Sequence, residues 1–183
     1  MLATNIVTGS ITNIFYVTNT TPSQLNFTKS GYYTVNDATT PIEVYPGVSV
    51  TLRVESFNFN PSTLTIDGGT ANSGNVVMYI EGGSITLGGN SAGGASGNRP
   101  ENLYIYGLPA VTSITLSGNS SFVGAIYAPE AALNLNGGGG ANNLMGAAVV
   151  KSVTLNGHYD FHYDTYLGQN QNGTFVVKSW QEL

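Results

Sequence analysis

A unit of six residues recurs along this chain at a spacing that few architectures tolerate. Ser113-Ile-Thr-Leu-Ser-Gly118, Ala132-Leu-Asn-Leu-Asn-Gly137 and Ser152-Val-Thr-Leu-Asn-Gly157 each read small, apolar, polar, apolar, polar, glycine. Their first residues stand 19 and 20 positions apart. Ser84-Ile-Thr-Leu-Gly-Gly89 is a further copy and Thr63-Leu-Thr-Ile-Asp-Gly68 a looser one, at steps of 29 and 21. The long step contains Gly88 to Pro100, a glycine- and serine-rich stretch expected to form a loop that supplies the extra residues.

A repeat near twenty residues whose core alternates apolar and polar is the signature of one strand laid down per coil of a β-solenoid. The period of two turns Ile85 and Leu87 to one face and Ser84 and Thr86 to the other, and every copy keeps that phase. Stacked at ~4.8 Å, the copies would bury a ladder of Leu64/Ile66, Ile85/Leu87, Ile114/Leu116, Leu133/Leu135 and Val153/Leu155. One coil cannot bury that face alone. A second apolar strand precedes most copies, in Val76–Ile80, Leu103–Tyr106, Phe122–Tyr127 and Met145–Val150. The expected fold is therefore all-β: a short single-stranded parallel β-helix of about 20 residues per coil, right-handed by the general sense of parallel crossovers. Its competitor is a sandwich of two antiparallel layers, in which the units at Ser84, Ser113, Ala132 and Ser152 would run antiparallel to one another.

The 183 residues show no break in composition and are read as one domain. Residues 59–167 form its solenoid, 1–58 an N-terminal β cap with irregular early coils, and 168–183 a closing strand that carries the single tryptophan, Trp180. The strand signals in the first third are Asn13–Thr18, Gly31–Val35, Ile42–Tyr45 and Val48–Val54, separated by turns rich in Thr, Pro and Gly. Only 8% of the residues are charged, and the formal net charge is −5. The five basic residues are scattered, which argues against a nucleic-acid partner and against polyanionic ligands. Without cysteine there is no disulfide, thiolate metal site or thiol nucleophile. No run approaches the ~18 apolar residues of a membrane helix, so no direct membrane insertion of this chain is expected.

A series of motifs carries a resemblance. Phe122-Val-Gly-Ala-Ile-Tyr-Ala-Pro-Glu-Ala131, then Met145-Gly-Ala-Ala-Val-Val150 and Gly157, then Phe161-His-Tyr-Asp164 resemble a bacterial exported C-terminal β-solenoid domain of uncharacterised function. Its pattern is G-x-[IV]-Y-A-P-x-A followed by a second glycine-led strand and an F-H-Y-D close. The matching positions are Gly124, Tyr127, Ala128, Pro129, Gly157, Phe161, His162, Tyr163 and Asp164. The family is seen with pilin-like or PilX-like N-termini and is related to choice-of-anchor A adhesin-like domains. What the resemblance implies is a module of the bacterial cell surface or extracellular space, in a pilus-like or filamentous assembly, and no reaction.

The residues that could carry chemistry are few. His158, Asp160, His162 and Asp164 alternate onto one side of a strand and are metal-ligand types. They equally suit an end plug of Phe161 and Tyr163 flanked by hydrogen-bonding groups, and neither a metal nor any other cofactor is expected. Carbohydrate-active enzymes also use β-helices, but they need paired carboxylates or a calcium cluster near a base. Asp67, Glu81, Glu101 and Glu130 stand singly, so no catalytic residue is assigned. Tyr104, Tyr106 and Tyr127 fall near equivalent strand ends, as an aromatic platform for sugars or as a stabilising ladder. Thr65, Thr86, Thr115, Asn134 and Thr154 would form an outward array of small polar groups, flat enough to lie against ice or a glycan lattice. The expected function is a non-catalytic structural or adhesion module, whose partners are further copies of itself, surface proteins or a neutral glycan. A carbohydrate-active enzyme and an ice or glycan-lattice binder are the alternatives.

Overall fold

A computed structural model describes residues 14–17, 25–38, 42–59, 64–66, 74–87, 92–95, 99–118, 121–137, 143–165 and 167. Residues 168–183, expected as a closing strand, lie outside them. The described residues are nearly all strand: β1 (Ile14–Val17), β2 (Leu25–Phe27), β3 (Gly31–Ala38), β4 (Ile42–Val44), β5 (Ser49–Phe59), β6 (Leu64–Ile66), β7 (Asn75–Leu87), β8 (Ala92–Ala95), β9 (Leu103–Gly118), β10 (Ser121–Gly137), β11 (Asn143–Asn156) and β12 (Asp160–Tyr163). Among them no helix is long and apolar enough to cross a membrane.

Every pairing in the sheet is parallel. Its main path runs β1-β3-β5-β7-β9-β10-β8-β6-β4-β2, with β11 on β10 and β12 on β11. Parallel neighbours cannot be joined by a tight hairpin, so each link is a crossover. The antiparallel sandwich is excluded where the test was sharpest. Ser84 pairs with Ser113, Ser113 with Ala132 and Ala132 with Ser152, so the three later units and the copy at Ser84 lie side by side in one register.

The long strands are each two runs divided by a register shift, at Val54/Phe57 in β5, Ile80/Ser84 in β7 and Ala128/Ala132 in β10. Pro129 sits within the last of these, where a missing N–H removes no ladder bond. The short strands β2, β4, β6 and β8 form a third column that runs into the start of β10. Inward residues of all three columns make one core. Leu52, Met78, Ile105 and Ile126 stack in register along the first run, and Ile85, Ile114 and Leu133 along the second, all buried. Burying each such side chain is worth about 1.5–3 kcal/mol, which is why alternation dictates the strands.

Three expectations change. Thr63–Gly68 is not a copy of the repeated unit in space: β6 pairs with β4 and β8, and the neighbour of Ile85-Thr-Leu87 is Phe57-Asn-Phe59. The stretch from Gly88 to Pro100 is not simply a loop, because Ala92-Gly-Gly-Ala95 is strand β8, paired with β6 and β10. Glycines carry no side chain to signal a strand, yet their backbone groups pair as well as any. The buried ladder also stops short of the last unit, because Val153 and Leu155, expected inside, are 53% and 59% exposed. In the first third, β1, β3 and β5 pair in the same parallel path as β7, with steps of 18 and 19 residues between Ile14 and Tyr32 and between Gly31 and Val50.

Candidate functional site

Two outward columns stand on the long strands, and both descend from sequence alternation. On the second run, Thr86, Thr115, Asn134 and Thr154 are successive register partners, flanked by Ser84, Ser113, Ala132 and Ser152. Their inward neighbours Ile85, Leu87, Ile114, Leu116, Leu133 and Leu135 are buried, so the small polar groups are held outward by the core beneath them. Thr65 is not part of this array. It lies on β6 beside Glu43 and Gly94, and the position under Thr86 is taken by Asn58. Two residues further along β10 and β11, the Asn156 side-chain amide donates to Asn136 Oδ1 at 3.0 Å, tying the two strands together.

On the first run the structure builds a column of tyrosines, but not the expected one. Tyr79 pairs with Tyr106 and Tyr106 with Tyr127, whereas Tyr104 stands one column over between Val77 and Ala125. The Tyr79 and Tyr106 rings are stacked, with centroids 5.1 Å apart and planes 15° from parallel. Tyr127 is tilted by 52° at 6.1 Å from Tyr106. Tyr79 was missed although its signal is present: the three tyrosines precede Ser84, Ser113 and Ala132 by five, seven and five residues.

Stacked rings cover one another's faces, and a sugar needs an open face. The geometry therefore favours a stabilising ladder, worth about 0.5–1.5 kcal/mol per pair beyond buried area, over a sugar platform. Desolvation, and then the neighbouring Tyr79, raise the Tyr106 phenol above the ordinary tyrosine value of 10.0. Tyr33, whose hydroxyl donates to the Lys29 carbonyl at 2.7 Å, is raised by desolvation as well. A folded state that holds these protons more tightly than the unfolded chain has their full contribution below pH 10 and loses it as the pH rises through the higher folded values. Thermal melting followed from about pH 9 to about pH 11 should show a falling Tm. Tyr106→Phe should flatten that fall, and an identical slope in the variant would rule out this origin.

The acidic and basic side chains are sparse. Arg53 on β5 forms an ion pair with Glu81 on β7, a contact that separation in sequence concealed. Arg99 and Glu101 stand 4.0 Å apart. Both pairs lie on open surface, where such contacts contribute about 0–1 kcal/mol. Among the described residues no group of three or more His, Asp or Glu side chains could hold a metal ion. His158 precedes β12, His162 lies on it opposite Met145, and Asp164 donates its backbone N–H to the Gly146 carbonyl at 3.0 Å, so the four residues are not gathered into one site.

The motif residues now have physical roles. A Cβ at Gly124 would meet the Phe122 ring at 2.9 Å and Leu103 at 3.1 Å, so this glycine makes room for the largest side chain of the core. Tyr127 is the top of the tyrosine column, and Ala128 is buried against Gly107. Gly157 has φ +84°, the left-handed turn that ends the second run of β11. Phe161 and Tyr163 lie in register over Leu144 and Gly146.

No curated protein and no solved structure matches the chain. A family profile does, over residues 18–170, which takes in β2 to β12 and both outward columns. The chain belongs to the family described as domain of unknown function DUF7305.

Proposed function

We propose that this chain is a non-catalytic β-solenoid module of the bacterial cell surface, acting by presenting a rigid, weakly charged face to a neighbouring protein or a neutral glycan. The parallel runs wind as successive coils, right-handed as parallel crossovers are. The observation that carries the reading is the in-register column Thr86, Thr115, Asn134 and Thr154, whose first three members stand above a buried core of Ile85, Ile114 and Leu133. Neighbouring coils set these groups ~4.8 Å apart, and the core prevents the face from adapting. Recognition by such a face rests on shape and on neutral hydrogen bonding. Low charge supports it, since long charged side chains would disrupt a flat contact.

A single experiment with two readouts tests this. Cells of the source carrying either the natural chain or Thr86→Lys/Thr115→Lys are labelled intact with an antibody to the chain and then passed over chitin and cellulose. Intact cells of both kinds should label, and the natural chain alone should be retained. Labelling only after lysis would dispose of the surface role. Equal behaviour of the two chains on the polymers would remove the threonine face as the contact, and polysaccharide breakdown by the purified chain would replace the reading with catalysis.

A further inference from the structure

Two phenol rings on neighbouring strands are already placed for a bond between them. Tyr79 on β7 and Tyr106 on β9 are register partners, and their rings stack with centroids 5.1 Å apart and planes 15° from parallel. Met78, Ile80 and Ile105 beside them are buried, so neither strand can turn its tyrosine away. The Tyr106 phenol is raised by its burial and then by Tyr79, so the two hydroxyl ends lie within reach of one another's charge. Tyr79 is 39% exposed and open to a reagent in solution, whereas Tyr106 is partly covered. Tyr32 and Tyr163 are more exposed, but their register partners are Ile14, Thr51 and Gly146. Tyr127 lies further from Tyr106, at 6.1 Å, and is tilted by 52°.

We propose that Tyr79 and Tyr106 are an intramolecular dityrosine site, whose co-reactant is a one-electron oxidant of the peroxidase type supplied with hydrogen peroxide. The exposed Tyr79 phenol gives up one electron and one proton, leaving a tyrosyl radical. Transfer of a hydrogen atom across the stack moves that radical to Tyr106, and a second oxidation of Tyr79 leaves a radical on each ring. The rings then join through a carbon–carbon bond between positions ortho to the hydroxyls. The hydrogens on those two carbons are replaced by hydrogens on the two oxygens, which restores both phenols. The pair has lost two electrons and two protons, and one peroxide takes them up to become two waters. Radicals held side by side couple far faster than radicals that must meet by diffusion. The bond ties β7 to β9 across a step of 27 residues, which restricts the unfolded chain as a disulfide would.

The test oxidises the purified full chain with a haem peroxidase and hydrogen peroxide, at a strength that couples free tyrosine, and then cleaves it after glutamate. Ser56–Glu81 carries Tyr79 as its one tyrosine, and Asn102–Glu130 carries Tyr106. Mass spectrometry should find these two peptides joined with the loss of two hydrogen atoms, in a chain that stays monomeric and at a yield independent of protein concentration. Tyr79→Phe and Tyr106→Phe should each cut that yield about tenfold or more, and Tyr104→Phe should leave it unchanged. A yield that survives Tyr106→Phe would overturn the proposal. So would coupling confined to Asn102–Glu130 or to links between chains, and so would the absence of any coupling.

Discussion

Gly146→Ala is expected to destabilise the fold by about 3–5 kcal/mol, a large fraction of the marginal stability of an ordinary domain. Gly146 has φ +139°, where an L side chain is strained, and a Cβ there would overlap the Gly124 carbonyl on the adjacent strand and approach Pro100 at 3.2 Å. The two glycines are register partners, and the close approach lets β10 and β11 run together beneath Asp164, whose N–H bonds the Gly146 carbonyl. Backbone cannot give way as a flexible side chain can, so strain and overlap add. Gly82→Ala is the control, since its Cβ would meet only the Ala110 methyl at 3.8 Å. It should stay within about 0.5 kcal/mol of the natural chain. Denaturant unfolding followed by circular dichroism measures both, and a Gly146→Ala loss below about 1 kcal/mol would show that the β10–β11 contact relaxes.

Much of this architecture was legible because alternation is a direct record of burial. Ile85, Leu87, Ile114, Leu116, Leu133 and Leu135 are buried as their period of two requires, and the units at 84, 113, 132 and 152 lie in one register. Alternation does not say which column a strand joins. Leu64-Thr-Ile66 has the same pattern as Ile85-Thr-Leu87, so Thr65 was drawn into the array, while backbone pairing sends β6 to the column of β4 and β8. Register across the sheet depends on the lengths of the connections, and those vary from strand to strand. The step from Ser49 to Asn75 is 26 residues and that from Ser113 to Ala132 is 19.

The candidate columns were legible to different degrees for the same reason. Thr86, Thr115, Asn134 and Thr154 follow from repeats of one length, whereas the tyrosine column follows a strand whose distance to the unit changes by two residues at Leu108-Pro-Ala110. That shift hid Tyr79 and promoted Tyr104. Strand β8 was invisible for another reason, since Ala92-Gly-Gly-Ala95 offers no alternation at all. Its neighbours are what reveal it: Gly93 pairs with Leu64 on one side and Phe122 on the other.

Phe122→Ala is expected to cost about 3–5 kcal/mol, a loss comparable to that at Gly146 but with a different origin. Phe122 is 1% exposed and stands in register with Leu144 on one side and Gly93 on the other, at the point where the third column enters β10. Gly124, two residues on, leaves the space that its ring fills, because a Cβ there would meet the ring at 2.9 Å. Removing the ring leaves a void that parallel strands tied on both edges cannot collapse to fill, and the cost of a cavity rises with the volume that persists. A second substitution separates a cavity from a general weakness of this turn. Gly124→Ala in the natural background should be destabilising through overlap with the ring, yet in the Phe122→Ala background it should recover about 1 kcal/mol by occupying part of the void. Equilibrium unfolding of the two single variants and the double variant completes the cycle. Additive losses would show that Phe122 and Gly124 do not share the space assigned to them.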